Sequence, residues 1–376
     1  MENKERKFVA TCSTGLEEIL KGEVEKCGCE VESVGKNTVS FYADTRSIYM
    51  LNMSSRVAVH ILRYIDNFFF RNADDIYNRV FRIEWEKYFS YDKTIRIDMK
   101  GSTKNLKNTH FGVLRVKDGI VDRFKDKTGE RPSISKGDPD IQITIYVNEN
   151  QAIIYLDSCG LPLFKRGYRI QHGDAPIKED LAAGILLLSG YDGTKDFLDP
   201  MCGSGTFLFE AYMIACNIAP NVDRKFAFMN WHEFDKPLYE VVKTELIDRE
   251  KRLETTITGF EKDSKTAILA NVIKKDFFND KKIKIMTCDF RKVEETFEKY
   301  VIVTNPPYGE RIKTDNDITL FYKEIGDFFK KNCTGSEGFI FTANLEAAKY
   351  IGLRTSAKIP LFNGPLEARL LKYQMY

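Results

Sequence analysis

Apolar and polar positions along this chain follow two rhythms. Phe8-Val9-Ala10-Thr11 is a short apolar strand, and residues 15–25 then repeat apolar positions at the spacing of an amphipathic helix. Residues 31–34 and 38–42 read as two strands around the turn Gly35-Lys36-Asn37. Helices are predicted over 44–52 and 73–80, and the aromatic run Phe68-Phe69-Phe70 between them is assigned to the core. Ile95, Ile97 and Met99 alternate as a strand does. Beyond a basic segment, Ile141-Ile143-Ile145-Val147 and Ala152-Ile154-Leu156 form a hairpin across Asn148-Glu149-Asn150.

From residue 176 the pattern becomes that of buried strands and helices. A helix over 176–186, with Pro176 at its start, precedes short apolar strands that end at or near Asp199, Glu261, Asp289 and Thr304. A helix over 319–331, a strand over 338–342 and a closing hairpin around Asn363-Gly364 complete it. The first part is α+β and the second α/β. Residues 221–252, polar and carrying Trp231, read as a surface insertion.

Length and composition narrow the picture only a little. The 376 residues call for more than one domain, and 43% hydrophobic residues suffice for real cores. A net charge of +2 is uninformative alone, but residues 100–136 hold ten bases against four acids. On one face those bases would attract phosphates; spread around helices they are only a solvated surface. The eight cysteines show no metal-type spacing, Cys27-x-Cys29 being the only near pair, and read as free thiols in a reducing cytoplasm. No run reaches membrane-spanning length and the N-terminus is charged, so a cytoplasmic protein is expected.

Two loops carry candidate chemistry. Asp196-Phe197-Leu198-Asp199-Pro200-Met201-Cys202-Gly203-Ser204-Gly205-Thr206 runs from a strand through two glycines into an apolar helix, a nucleotide-binding arrangement. The third glycine of a dinucleotide fingerprint is replaced by Leu208, and no Gly-Lys-Ser/Thr follows, so a cofactor without phosphates is expected. The second loop is Thr304-Asn305-Pro306-Pro307-Tyr308-Gly309, after the strand Tyr300-Val301-Ile302-Val303. The Asn305 side-chain oxygen and the Pro306 carbonyl can converge on one exocyclic amine, and Tyr308 offers a flat face for the base that carries it. Accepting both amine hydrogens draws electron density toward nitrogen and readies it for an electrophilic methyl, without a metal. On the tetrapeptide alone, a Pro-Pro turn after a core strand explains the residues equally well; the glycine loop upstream decides. Asp199, Glu261 and Asp289 end three successive strands before Asn305, and ligands of open α/β sheets bind at such carboxyl ends. Glu261-Lys262-Asp263 leaves open which acid meets a ribose, with Glu261 nearer the strand.

The paired loops resemble those of class I methyltransferases. The strand, lysine-rich segment, helix and hairpin before them, with Leu163-Phe164-Lys165-Arg166-Gly167-Tyr168-Arg169, resemble a THUMP domain and its junction, and the unit containing Thr11-Cys12-Ser13-Thr14-Gly15-Leu16-Glu17 is similar to the ferredoxin-like domain that accompanies it. The resemblance covers essentially the whole chain and implies a ferredoxin-like domain over 1–65, a THUMP domain over 66–160, and over 161–376 a Rossmann-like class I methyltransferase domain, a seven-stranded sheet with one antiparallel strand. It further implies S-adenosylmethionine as cofactor, structured RNA as partner, and methylation of guanine N2 in 23S rRNA. A tRNA guanine-N2 methyltransferase and a non-catalytic RNA-binding protein on the same fold stand as alternatives. The RNA-binding-like first half argues against DNA. Carried onto this sequence, the resemblance makes Asn305, Pro306, Pro307 and Tyr308 catalytic. It sets Asp199, Pro200, Cys202, Gly203, Gly205, Thr206, Glu261 and Asp289 around the cofactor, and Lys100, Lys104, Lys107, Arg115 and Arg166 against RNA. No metal is implied.

Overall fold

The structure, a computed structural model, describes residues 5–106, 108–169, 177–309 and 315–376, with 315–317 as backbone only. The first part is built from β1 (Arg6–Cys12), α1 (Glu17–Lys26), β2 (Glu30–Gly35), β3 (Thr38–Ala43), α2 (Thr45–Ser54), β4 (Ala58–Phe69), α3 (Ala73–Arg82), β5 (Thr94–Ser102), α4 (Thr109–Thr128), β6 (Ser133–Ile134), β7 (Ile141–Asn148) and β8 (Gln151–Asp157). These strands form one eight-stranded sheet in the order β2-β3-β1-β4-β8-β7-β5-β6. Asp44 caps α2 by accepting from the Ser47 amide at 2.7 Å, and Asn108 caps α4 by accepting from the Phe111 amide at 2.8 Å.

β4 is the long element that sequence patterning missed. Its polar residues Arg63, Asp66 and Asn67 interrupt the alternation, yet its first half pairs with β1 and its second with β8. The sheet therefore runs unbroken across residue 65, where sequence reading divides the first two domains. The aromatic run at its end splits: Phe70 is buried, whereas Phe69 is 72% exposed.

The second part comprises α5 (Glu179–Leu188), β9 (Phe197–Asp199), α6 (Thr206–Ala215), α7 (Lys236–Asp248), β10 (Ile257–Glu261), α8 (Ser264–Ile273), β11 (Ile283–Thr287), β12 (Val301–Thr304), α9 (Asp315–Asn332), β13 (Glu337–Thr342), α10 (Leu345–Ala348), β14 (Thr355–Asn363) and β15 (Leu366–Gln374). Pro176, expected near the start of α5, lies outside the described residues. The seven strands are ordered β11-β10-β9-β12-β13-β15-β14, with β15 antiparallel to both neighbours and the first five parallel. Strand order reverses between β9 and β12, which opens a crevice at their carboxyl ends.

The two sheets are locked together by a segment read from sequence as a surface insertion. In residues 221–252, Phe228 stacks on Tyr49 of α2 with ring centroids 4.7 Å apart, and Phe234 and Tyr239 meet the same ring edge-on. The amides of Asn221, Phe228 and His232 donate to the carbonyls of Met53 (3.0 Å), Ser158 (3.1 Å) and Tyr88 (2.9 Å). The stretch is thus a strap with one face buried, Phe228, Trp231 and Tyr239 among it, while residues 235–237 and 247–252 stay exposed. A hydrogen bond from Ser13 Oγ to Asp180 Oδ2 (2.9 Å) adds a second tie. No helix among the described residues is long and apolar enough to cross a membrane.

Candidate active site

The crevice is framed by two loops that leave adjacent parallel strands. Val301 pairs with Phe197 and Ile302 with Leu198, so Asp199 and Asn305 leave the same end of the sheet side by side.

The glycine loop is held by backbone. The Cys202 amide donates to the Phe260 carbonyl and the Gly205 amide to the Cys202 carbonyl, both at 2.8 Å. Gly203 (φ 54°) and Gly205 (φ 87°) lie in the left-handed region. A Cβ at Gly205 would come within 2.7 Å of the Phe209 ring, whereas one at Gly203 would meet open space. Thr206 then opens α6. Sequence reading overlooked Gly259 inside β10, where a Cβ would sit 2.5 Å from Leu208 and 2.9 Å from Cys202 Sγ. A glycine within a strand was the available signal for that close approach.

The three acids are held differently. Asp199 is 1% exposed and accepts from the Met201 amide at 3.0 Å. Burial, reinforced by the nearby Glu261, pushes its carboxyl up to about 7. Glu261 accepts from the amides of Gly203 (3.0 Å) and Asp263 (2.8 Å), which fixes it beneath the glycine loop. Asp263 is instead the cap of α8, accepting from the Thr266 amide at 2.8 Å and its hydroxyl at 2.7 Å. Asp289 lies two residues beyond the end of β11 and takes Arg291 in a forked pair, Nε at 2.9 Å and Nη2 at 2.6 Å. That guanidinium lowers its pKa and is itself tied to Glu324 at 3.1 Å.

The proline loop follows four buried residues of β12. Its two candidate groups touch each other: the Tyr308 hydroxyl donates to Asn305 Oδ1 at 2.7 Å. The Tyr308 ring stands edge-on to Phe341, centroids 6.5 Å apart, and burial raises the phenol pKa. Gly309 continues with φ 117°.

The basic residues divide. Lys100 and Lys104 are exposed, and Lys100 Nζ lies 5.6 Å from the Tyr146 ring centre. Arg115 is spoken for by Asp74 at 2.7 Å and by the Tyr77 ring at 4.5 Å. Arg123 pairs with Glu86. Acids of α3 and the turn after it therefore offset part of an excess that a linear count assigns to residues 100–136. Arg166 is a correction: its side chain is 1% exposed, paired with Glu210 of α6 at 3.3 Å and donating to the Arg56 carbonyl at 2.6 Å, so it joins the two parts and cannot face RNA. Lys107 lies outside the described residues. One group of metal-type side chains occurs among the described residues, His60, Asp157 and Cys159 in the first sheet. Its members are tied to one another and the backbone: the Cys159 amide donates to Asp157 Oδ1 at 2.8 Å, and Cys159 Sγ accepts from the Ile61 amide at 3.1 Å.

Known proteins resemble the chain along its whole length. The RMKL-like methyltransferase domain matches residues 166–372, the THUMP domain 70–157 and the RlmL ferredoxin-like domain 7–62. "Putative RNA methyltransferase slr0064" of Synechocystis sp. is 35% identical over 373 residues, 99% of this chain and 97% of that protein. "Ribosomal RNA large subunit methyltransferase K/L" of Desulfotalea psychrophila is 34% identical over 96% of this chain, which spans about half, 52%, of that protein's length. The crystal structure of SMU.472 complexed with SAH superposes with a TM-score of 0.90 at 29% identity, covering 99% of each chain. The open space at Gly203 and the buried carboxyl of Asp199 fit the same kind of ligand. The chain belongs to the RMKL-like methyltransferase family, with S-adenosylmethionine as its cofactor and THUMP and ferredoxin-like units ahead of the methyltransferase domain.

Proposed function

We propose that the chain methylates the exocyclic N2 amine of a guanine in 23S rRNA. The observation that carries this reading is the meeting of Asn305 and Asp199 at the carboxyl ends of adjacent strands, where the order of the sheet reverses. Bound S-adenosylmethionine supplies an electrophilic methyl on a sulfonium. Asp199, Glu261 and Asp289 hold the cofactor's polar groups, with Glu261 on the ribose because Asp263 is committed to its helix cap. Asn305 Oδ1 and the Pro306 carbonyl take the hydrogens of the target amine. The Tyr308 hydroxyl occupies one lone pair of Asn305 Oδ1 and leaves the other for the amine, while its ring offers the base a face to stack on. A guanine in a helix has to be flipped out to reach this loop.

The choice of 23S rRNA rests on the K/L relatives, and that of RNA on the THUMP unit. Labelled methyl transfer to separately purified, unmodified 23S rRNA, tRNA and DNA, followed by nucleoside analysis, tests it. The expected product is N2-methylguanosine in 23S rRNA. Label in tRNA or DNA alone, or in another nucleoside, overturns the assignment.

A further inference from the structure

Asn344, at the turn from β13 into α10, has no place in the chemistry described so far, yet its side chain reaches into the proline loop. Its Nδ2 donates to the Tyr308 carbonyl at 2.9 Å, while its Oδ1 accepts from the Ala347 amide, also at 2.9 Å, and caps α10. Its own amide donates to Thr342 Oγ1 at 3.0 Å. The Thr342 and Tyr322 hydroxyls lie 2.6 Å apart, and the Tyr322 hydroxyl approaches the Pro307 carbonyl at 3.5 Å. One consistent direction of donation runs through all four groups: Asn344 amide to Thr342, Thr342 to Tyr322, Tyr322 to Pro307. The two carbonyls that follow Pro306 are thereby drawn toward β13 and α9. Gly309 follows at φ 117°, a backbone conformation that favours glycine, and leaves Asn344 Nδ2 in ordinary contact with the loop.

We propose that Asn344 is a positioning residue for methyl transfer, with Tyr322 as its support. Prolines fix φ within the loop, but they cannot fix how the loop as a whole sits over the sheet. Asn344 does so from outside, by tying the carbonyl of Tyr308 to the end of β13. The spacing between Asn305 Oδ1 and the Pro306 carbonyl is then set before any base arrives, as convergence on one amine demands. This inference rests on Asn305 to Tyr308 being the catalytic loop.

The test separates the tether from the cap. Asn344→Ser and Asn344→Asp both keep a good capping oxygen. Serine is too short to reach Tyr308, and aspartate turns an acceptor toward the carbonyl where a donor had been. Assayed on the RNA that the nucleoside assay labels, kcat is expected to fall about 10- to 100-fold, further for Asp than for Ser, with KM for S-adenosylmethionine and Tm unchanged. Tyr322→Phe is expected to lower kcat less. Wild-type kcat in both Asn344 variants, or a loss of Tm with no change in kcat, overturns the proposal. Asn305→Ala run alongside tells the failures apart. If it retains full turnover, the reading of the loop falls and Asn344 with it; if it is inactive while the Asn344 variants are not, only the positioning role falls.

Discussion

The two loops at the centre of this molecule solve opposite problems. The glycine loop leaves open space at Gly203 and lets Gly205 pack against the Phe209 ring, and its order comes from backbone hydrogen bonds and from Glu261 beneath it. The proline loop, which in the role proposed for it presents two oxygens at a set spacing, is stiffened from within by Pro306 and Pro307 and from without by neighbouring side chains. Openness is achieved by removing atoms, aim by adding restraints. A change in the first should therefore act on binding and stability, and a change in the second on turnover.

The largest expected effect belongs to the proline loop. Asn305→Ala should reduce kcat by about 100- to 1,000-fold, the usual cost of removing one group that stabilises a transition state, while the calorimetric Kd for S-adenosylhomocysteine stays within about twofold. A parallel loss of cofactor binding would merge the two loops into one functional unit. Gly205→Ala should show the converse. The added methyl lies 2.7 Å from the Phe209 ring at a φ of 87°, so a cost of about 1–3 kcal/mol in stability and a weakened cofactor are expected, read by thermal melting and titration.

Asp199 ties binding to pH. Burial pushes its carboxyl up to about 7 in the free protein, and in the role proposed for it the ionised form is the stronger acceptor for the cofactor. Cofactor affinity should rise up to about tenfold per pH unit below 7 and level off above it, and Asp199→Asn should abolish the slope. Stability of the free protein runs the other way. A carboxyl whose folded pKa is raised costs more as pH climbs from its unfolded value, near 4, to about 7, so Tm should fall over that window. The smallest effect lies outside both loops. Reversing the charges of Lys100 and Lys104 should weaken RNA binding and lower the salt slope by about 1 for each lost phosphate contact, with kcat on saturating RNA unchanged.

Legibility from sequence followed distance along the chain. The places of the glycine and proline loops, at the carboxyl ends of β9 and β12, could be read because each is marked by a few consecutive residues. Asp263 could not be told from Glu261 until its bond to the Thr266 amide was seen. Arg166 looked like a cation for RNA because an arginine is ordinarily exposed; its partner Glu210 is far along the chain, and only the fold brings them together. The strap over 221–252 failed for the same reason. Its polar sequence conceals Phe228, Trp231 and Tyr239, and the ring that receives Phe228 and Tyr239 is Tyr49, in the first part of the chain. Strand β4 was hidden by Arg63, Asp66 and Asn67, residues tolerated there because pairing on both sides, with β1 and β8, holds the backbone.

That strand makes the chain hard to cut. The ferredoxin-like match ends at residue 62 and the THUMP match begins at 70, and between them lies the second half of β4. A scission there parts β4 from β8 and leaves β8, or the length of β4 that faced it, with a bare row of amides and carbonyls, the kind of raw edge that recruits other chains into aggregates. Segments that match two different domain families are made inseparable by hydrogen bonding, and a soluble RNA-binding fragment would have to carry all eight strands.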